Sequence, residues 1–189
     1  MRTVGIVLAG GLSRRFGSPK AFASIGEEYF YERAVEALTP HCEEVVIVTR
    51  PELRNAYPAE LKVIQDLPEV AGFGPLAGIL SAMEFVEADR YVVLPCDMPY
   101  VDESIVGQLL DCHGEVVTAV IAEGKHHPLV SVWDRKSKEP LREQLEKGQF
   151  RVINLLDKLG VAWVDGHLLT DDEQSVFRNV NTPTDLDWG

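Results

Sequence analysis

The chain has 189 residues, 46% apolar and 25% charged, values that fit one globular domain over residues 1–189 and exclude an intrinsically disordered chain. Its 18 Lys and Arg stand against 30 Asp and Glu, a net charge of −12 that argues against a grip on nucleic-acid backbone or on an anionic membrane surface. The charge is uneven, however: residues 1–26 hold Arg2, Arg14, Arg15 and Lys20 and no acid, so the rest of the chain carries −16. A cationic island on an acidic chain suits a small anionic ligand.

In chain order, TVGIVLA (Thr3–Ala9) is a continuous apolar run, as expected of a parallel strand covered on both faces. A polar, Gly-rich loop runs from Gly10 to Gly26. Next comes a helix over Tyr29–Leu38, with Phe30, Ala34, Val35 and Leu38 on one stripe and Thr39-Pro40 as its stop. Glu44–Thr49 and Leu61–Gln65 read as the second and third strands, around a Pro-flanked helix or turn near Glu52–Ala56. Pro75–Val86 reads as a helix with proline at its first turn. Arg90–Leu94 is the fourth strand, broken at Pro95-Cys96-Asp97. The rest follows as a helix (Glu103–Leu110), strands Val116–Ala122 and Leu129–Trp133, and helices Pro140–Lys147 and Val152–Lys158. A strand (Val161–Val164) and a short helix after Pro183 end the chain.

This alternation predicts an α/β fold, a three-layer α/β/α sandwich on a mostly parallel, Rossmann-like sheet, with its ligand at the carboxyl ends of the strands. Four breaks are placed to line that crevice: Gly10–Lys20, Thr49–Arg50, Asp66–Gly74 and Pro95–Pro99. Cys42, Cys96 and Cys112 form no C-x-x-C pair, so a reducing cytoplasm is the expected compartment. No apolar stretch approaches the ~20 residues that span a bilayer.

Four segments carry chemistry. In LAGGLSRRFGSPK (Leu8–Lys20), Gly10 and Gly11 let backbone N–H groups approach an anion, while Arg15 and Lys20 neutralise phosphate oxygens. The spacing is neither that of a P-loop nor G-x-G-x-x-G. LPCDMPYV (Leu94–Val101) holds Asp97 rigidly between two prolines, a hard oxygen ligand suited to Mg²⁺. Asp102 is the better helix cap, and Cys96 reads as a small buried residue. In Gln65–Ile79, Asp66 ends a strand, and Gly72, Gly74 and Gly78 admit a flat ligand or, for Gly78, close helix–sheet packing. In NVNTPTDL (Asn179–Leu186), Asn179 and Asn181 share a side if extended, and the alternative is an Asn-rich turn with Thr182 or Thr184 capping the last helix.

Together LAGGLSRRFGSPK, GPLAGI, LPCDMPYV, HHPLVSVW (His126–Trp133) and NVNTPTDL resemble the molybdenum cofactor guanylyltransferases over essentially the whole chain. The resemblance implies GTP as substrate, Mg²⁺ as cofactor, and transfer of GMP to the phosphate of molybdopterin. It implies that Leu8, Ala9, Gly10 and Gly11 contact the nucleotide, Arg15 and Lys20 its phosphates, and Asp66 its nucleoside end. Asp97 would bind the metal, and Gly78, Asn179 and Asn181 would place the nucleotide or pterin. The catalytic set is then Arg15, Lys20 and Asp97. Thr49-Arg50 stands where some relatives carry an asparagine. The alternative is a related enzyme using CTP or another NTP on a cofactor or sugar phosphate. A monomer is expected, partnered by cofactor-biosynthesis proteins or molybdoenzymes and by neither nucleic acid nor membrane.

Overall fold

The computed structural model describes residues 1–11, 15–114 and 116–187. Strand β1 (Thr3–Ala9) is apolar throughout because both of its faces are covered: Val4 and Ile6 turn into one core, Val7 and Ala9 into the other. The loop after it holds structure that no periodicity announced, a 3-10 turn at Lys20–Phe22 and a hairpin of β2 (Ser24–Ile25) and β3 (Glu28–Tyr29). Helix α1 (Phe30–Leu38) begins one residue later than predicted, because Tyr29 is extended and donates its N–H to the Glu32 carboxylate at 2.8 Å. The α-helix ends at Leu38, where Thr39-Pro40 was expected to stop it, and a 3-10 turn through His41 follows.

Strand β4 (Glu44–Thr49) has its predicted span, whereas β5 (Lys62–Ile64) is shorter than Leu61–Gln65, and the segment between them is a 3-10 turn, Pro51–Ala56. Helix α2 (Pro75–Phe85), strand β6 (Arg90–Pro95) and helix α3 (Glu103–Asp111) follow, with Asp102 capping α3 by accepting the Ile105 N–H. Strand β7 (Val117–Ala122) turns at Glu123-Gly124, both at positive φ, into β8 (Lys125–Asp134). That strand starts four residues before the predicted apolar run Leu129–Trp133. Helices α4 (Lys138–Glu146) and α5 (Val152–Leu159), strand β9 (Ala162–Asp165), an unanticipated α6 (Glu173–Val176) and a 3-10 turn (Pro183–Asp187) complete the described chain.

The main sheet runs β5-β4-β1-β6-β8-β7-β9. Among the described residues β8 alone runs against its neighbours β6 and β7, so the sheet is mostly parallel as expected. One core packs α1 and α3 on one face, and a second packs α2, α4 and α5 on the other. The chain starts at β1, moves outward to β4 and β5, then crosses back through α2 to β6 on the far side of β1. That reversal opens a crevice at the carboxyl ends of β1 and β6. Helix α2 closes tightly over β1 because Gly78 has no side chain: a Cβ there would lie 2.9 Å from Leu8 Cδ2. A small third core of Ala23, Phe30 and Val180 fastens the C-terminal segment against the loop that carries Lys20. Among the described residues no helix is long and apolar enough to cross a membrane.

Candidate active site

A cavity of about 640 Å³ opens at the carboxyl ends of β5, β4, β1 and β6, a volume suited to one nucleotide-sized ligand. Leu8, Ala9, Gly10, Gly11, Lys20, Asp66, Gly78 and Asp97 line it together. Gly10 and Gly11 have ordinary backbone angles, and a Cβ built on either would meet no atom within 4 Å. The fold itself therefore does not demand glycine at these positions. Their missing side chains leave open space above β1, where backbone amides can meet an anion.

Lys20 starts the 3-10 turn and reaches back over β1. Its Nζ donates to Asn181 Oδ1 at 2.9 Å and lies 3.6 Å from Asp97 Oδ2, so residues far apart in sequence meet at one point. Asp97 is held from both sides: the Cys96 N–H donates to the Leu8 carbonyl at 3.1 Å, and the Asp97 carbonyl accepts the Val180 N–H at 2.8 Å. Asn181 is set by Asp185, whose carboxylate accepts the N–H groups of both Asn181 and Thr182 at 2.8 Å. Those backbone bonds hold the Asp185 carboxyl below the usual aspartate range. The Thr182 and Thr184 hydroxyls bond to each other at the start of the last turn. Cys96 is buried beside Asp97, and burial pushes its thiol up to about 12, so it is not an ionised nucleophile.

At the other end, Asp66 accepts the Gly72 N–H, and burial outweighs that bond to raise its carboxyl above the ordinary value. Gly72 and Gly74 both stand at φ near +80°, a turn that L side chains rarely adopt. Buried Ser81 pins the approach to this loop by accepting the Leu67 N–H at 2.8 Å and donating to the Ala77 carbonyl. Phe73 stacks on Phe150 with centroids 4.3 Å apart and fixes the far side.

The two asparagines do not act alike. Asn179 and Asn181 flank buried Val180; Asn181 turns to Lys20, Asn179 is exposed, and neither is part of the cavity lining itself. Arg15 is likewise exposed and outside the lining. Leu12, Ser13 and Arg14 of the same loop lie outside the described residues. Sequence reasoning missed Glu52 and Leu129, which also line the cavity, and Asp185, which sets Asn181. The Thr-x-x-Asp spacing of Thr182 and Asp185, a capping-box pattern, was a readable signal; the cavity positions of Glu52 and Leu129 follow only from tertiary packing.

Among the described residues no three His, Cys, Asp or Glu side chains cluster to cage a metal. Asp97 instead presents a single partly exposed carboxylate to the cavity, the donor set that suits a Mg²⁺ carried largely by substrate phosphates. The residues fit that ion.

The MobA-like NTP transferase domain pattern matches residues 5–160. Over 98% of this chain, a probable molybdenum cofactor guanylyltransferase of Geobacillus sp. (strain WCH70) is 40% identical, with 97% of that protein covered. The chain belongs to the MobA-like molybdenum cofactor guanylyltransferase family. A second such relative, the probable molybdenum cofactor guanylyltransferase of Halalkalibacterium halodurans, is 34% identical over 98% of this chain and 96% of its own length. The family fold recurs in the crystal structure of molybdopterin-guanine dinucleotide biosynthesis protein A from Archaeoglobus fulgidus. It superposes with a TM-score of 0.80 at 27% identity and covers 97% of this chain and 95% of its own. Asn181 itself lies beyond residues 5–160, so the matched pattern does not include the whole site.

Proposed function

We propose that this protein is a Mg²⁺-dependent cytoplasmic enzyme that transfers GMP from GTP to the terminal phosphate of molybdopterin and releases pyrophosphate. GTP fills the cavity and the pterin phosphate meets it at the open Lys20–Asp97 end of the same crevice, in a single domain that works as a monomer. The observation that carries the reading is the meeting of Lys20, Asp97 and Asn181 at the mouth of a nucleotide-sized cavity floored by Gly10 and Gly11.

An oxygen of the molybdopterin phosphate attacks the α-phosphorus of GTP. The new P–O bond forms as the bond to the β-phosphate oxygen breaks, and the electron pair leaves with pyrophosphate. The attacking phosphate is already ionised near neutral pH, so the site needs no general base. Its task is to bring two anions together, which unscreened repulsion opposes. Lys20 supplies a fixed cation to the phosphates, and the Gly10 and Gly11 amides add donors. Asn181 and Asp97 hold the lysine ammonium in place before substrate arrives, so little reorganisation remains at reaction. Asp97 would hold Mg²⁺, which when bound screens phosphate charge and draws electrons from the breaking bond. Asp66 takes the nucleoside end, Arg15 meets phosphate at the crevice rim, Gly78 keeps the floor open, and Asn179 faces the pterin side.

The test is pyrophosphate release by the full chain from GTP, with and without molybdopterin, in Mg²⁺ and again with CTP in place of GTP. Release should require GTP, Mg²⁺ and the acceptor together. Equal release from CTP, or none from GTP with acceptor, refutes the assignment.

A further inference from the structure

The sheet order gives the cavity a direction. Lys20 and Asp97 stand over β1 and β6, while Arg50 and Glu52 follow β4, toward the β5 end that carries Asp66. From β5 to β6 is three strand spacings, about 14 Å. A nucleotide whose phosphates lie at Lys20 therefore extends its base toward β4 and β5.

Arg50 and Glu52 form an ion pair there. Arg50 Nη1 lies 3.3 Å from Glu52 Oε1, and the Arg50 side chain is only 22% exposed. Its Nε is shut off from solvent and has no hydrogen-bond partner among the described residues. The enclosed Nε belongs to the fixed part of the side chain, and the part of Arg50 that lines the cavity is what a ligand can reach. The Glu52 side chain is 61% exposed, so its carboxylate is open to a ligand.

We propose that Arg50 and Glu52 read the base, the Glu52 carboxylate accepting from N1–H and the 2-amino group of guanine while the Arg50 guanidinium donates to O6. This deepens the guanylyl-transfer reading and rests on it. The chemistry selects one base. Guanine presents an acceptor beside two donors on this edge, which complements a guanidinium beside a carboxylate. Adenine and cytosine place an amino donor where guanine has O6, and a ring acceptor where guanine has N1–H, so both meet like against like. Uracil lacks the second donor. In this assignment Asp66, which accepts the Gly72 N–H, serves the ribose.

The experiment is titration calorimetry of the full chain in Mg²⁺ with GTP, ATP, CTP and inosine triphosphate, which is the guanine nucleotide without its 2-amino group. Wild type should prefer GTP over inosine triphosphate. Glu52→Gln should weaken GTP by about 10- to 100-fold, the range carried by hydrogen bonds to a charged group, and inosine triphosphate by less, so that their ratio collapses. Arg50→Gln should weaken both purines. Glu52 is exposed on a 3-10 turn, so its variant carries the test even if the Arg50 variant folds poorly. A wild type that binds GTP, combined with an unchanged GTP-to-inosine-triphosphate ratio in Glu52→Gln, overturns the base-reading pair alone. A wild type that binds no GTP, or binds CTP as well, overturns the guanylyl reading and this inference with it.

Discussion

Replacing Lys20 with methionine keeps an unbranched stem and deletes the charge on which the phosphate site depends. The Lys20 side chain is 14% exposed, with its ammonium 2.9 Å from Asn181 Oδ1 and 3.6 Å from Asp97 Oδ2. At an effective dielectric of about 20 the ion pair has a gross attraction of about 4–5 kcal/mol. Desolvation cancels most of that, so the unliganded protein should lose only about 1 kcal/mol. In a chain of this length that lowers Tm by about 2–4 °C. The effect on GTP is larger, because the nucleotide loses charged hydrogen bonds of about 1.5–3 kcal/mol. Kd should then rise by about 10- to 150-fold. The Asp97 carboxylate, left without its cation, pushes in the same direction. Calorimetric titration with GTP and Mg²⁺, beside a thermal melt, separates the two effects. A GTP Kd within about threefold of wild type refutes the phosphate role and leaves Lys20 as a structural tie to Asn181.

Three further outcomes are expected. Asp97→Ala should cut Mg²⁺-dependent pyrophosphate release by about 100-fold or more with an unchanged circular dichroism spectrum, and near-normal turnover removes Asp97 from the mechanism. Gly78→Ala places a Cβ 2.9 Å from Leu8 Cδ2. Crowding of about 1–3 kcal/mol is partly offset by about 1 kcal/mol of helix propensity, so Tm should fall by less than about 8 °C. GTP affinity should drop as Leu8 is pushed into the cavity, and unaltered affinity means that Leu8 yields elsewhere. Asp66→Asn removes a carboxyl that burial raises above its ordinary value of 3.8. Because the raised group binds its proton more tightly in the folded state, its ionisation opposes folding. That penalty is absent below the unfolded value and complete above the folded one. The variant should melt no lower than wild type at pH 7, with its relative gain fading as pH falls toward 3.8, while GTP binding weakens. A gain that grows on acidification contradicts the assignment.

The strands were legible because burial on both faces writes a continuous apolar run, as in Thr3–Ala9 and Glu44–Thr49. Boundaries failed where polar residues continue a strand. Lys125-His126-His127 belongs to β8 although it lacks apolar character, and the Glu123-Gly124 turn was the readable sign of a hairpin. Two-residue strands and single 3-10 turns have no period, so the hairpin after Lys20 was invisible. Within the candidate site, loops that follow strands could be named from the sheet topology alone. What could not be read is which of two similar side chains turns inward. Asn181 and Asn179 differ through the anchoring of Val180 and the Asp185 turn, both tertiary facts. Arg50 and Glu52 gain meaning only when β4 stands beside β1.

The clasp between Lys20 and Asn181 also bears on how the protein is made. The lysine emerges from the ribosome long before its amide partner: Asn181 and the Val180 N–H that holds Asp97 are translated 161 and 83 positions later than the groups they serve. The strands and helices up to residue 160 can be complete while the phosphate grip still lacks its last fastening. Assembly thus has a late step: the segment around Val180 docks on Phe30 and Ala23, and the cationic site is complete only once that segment has been made.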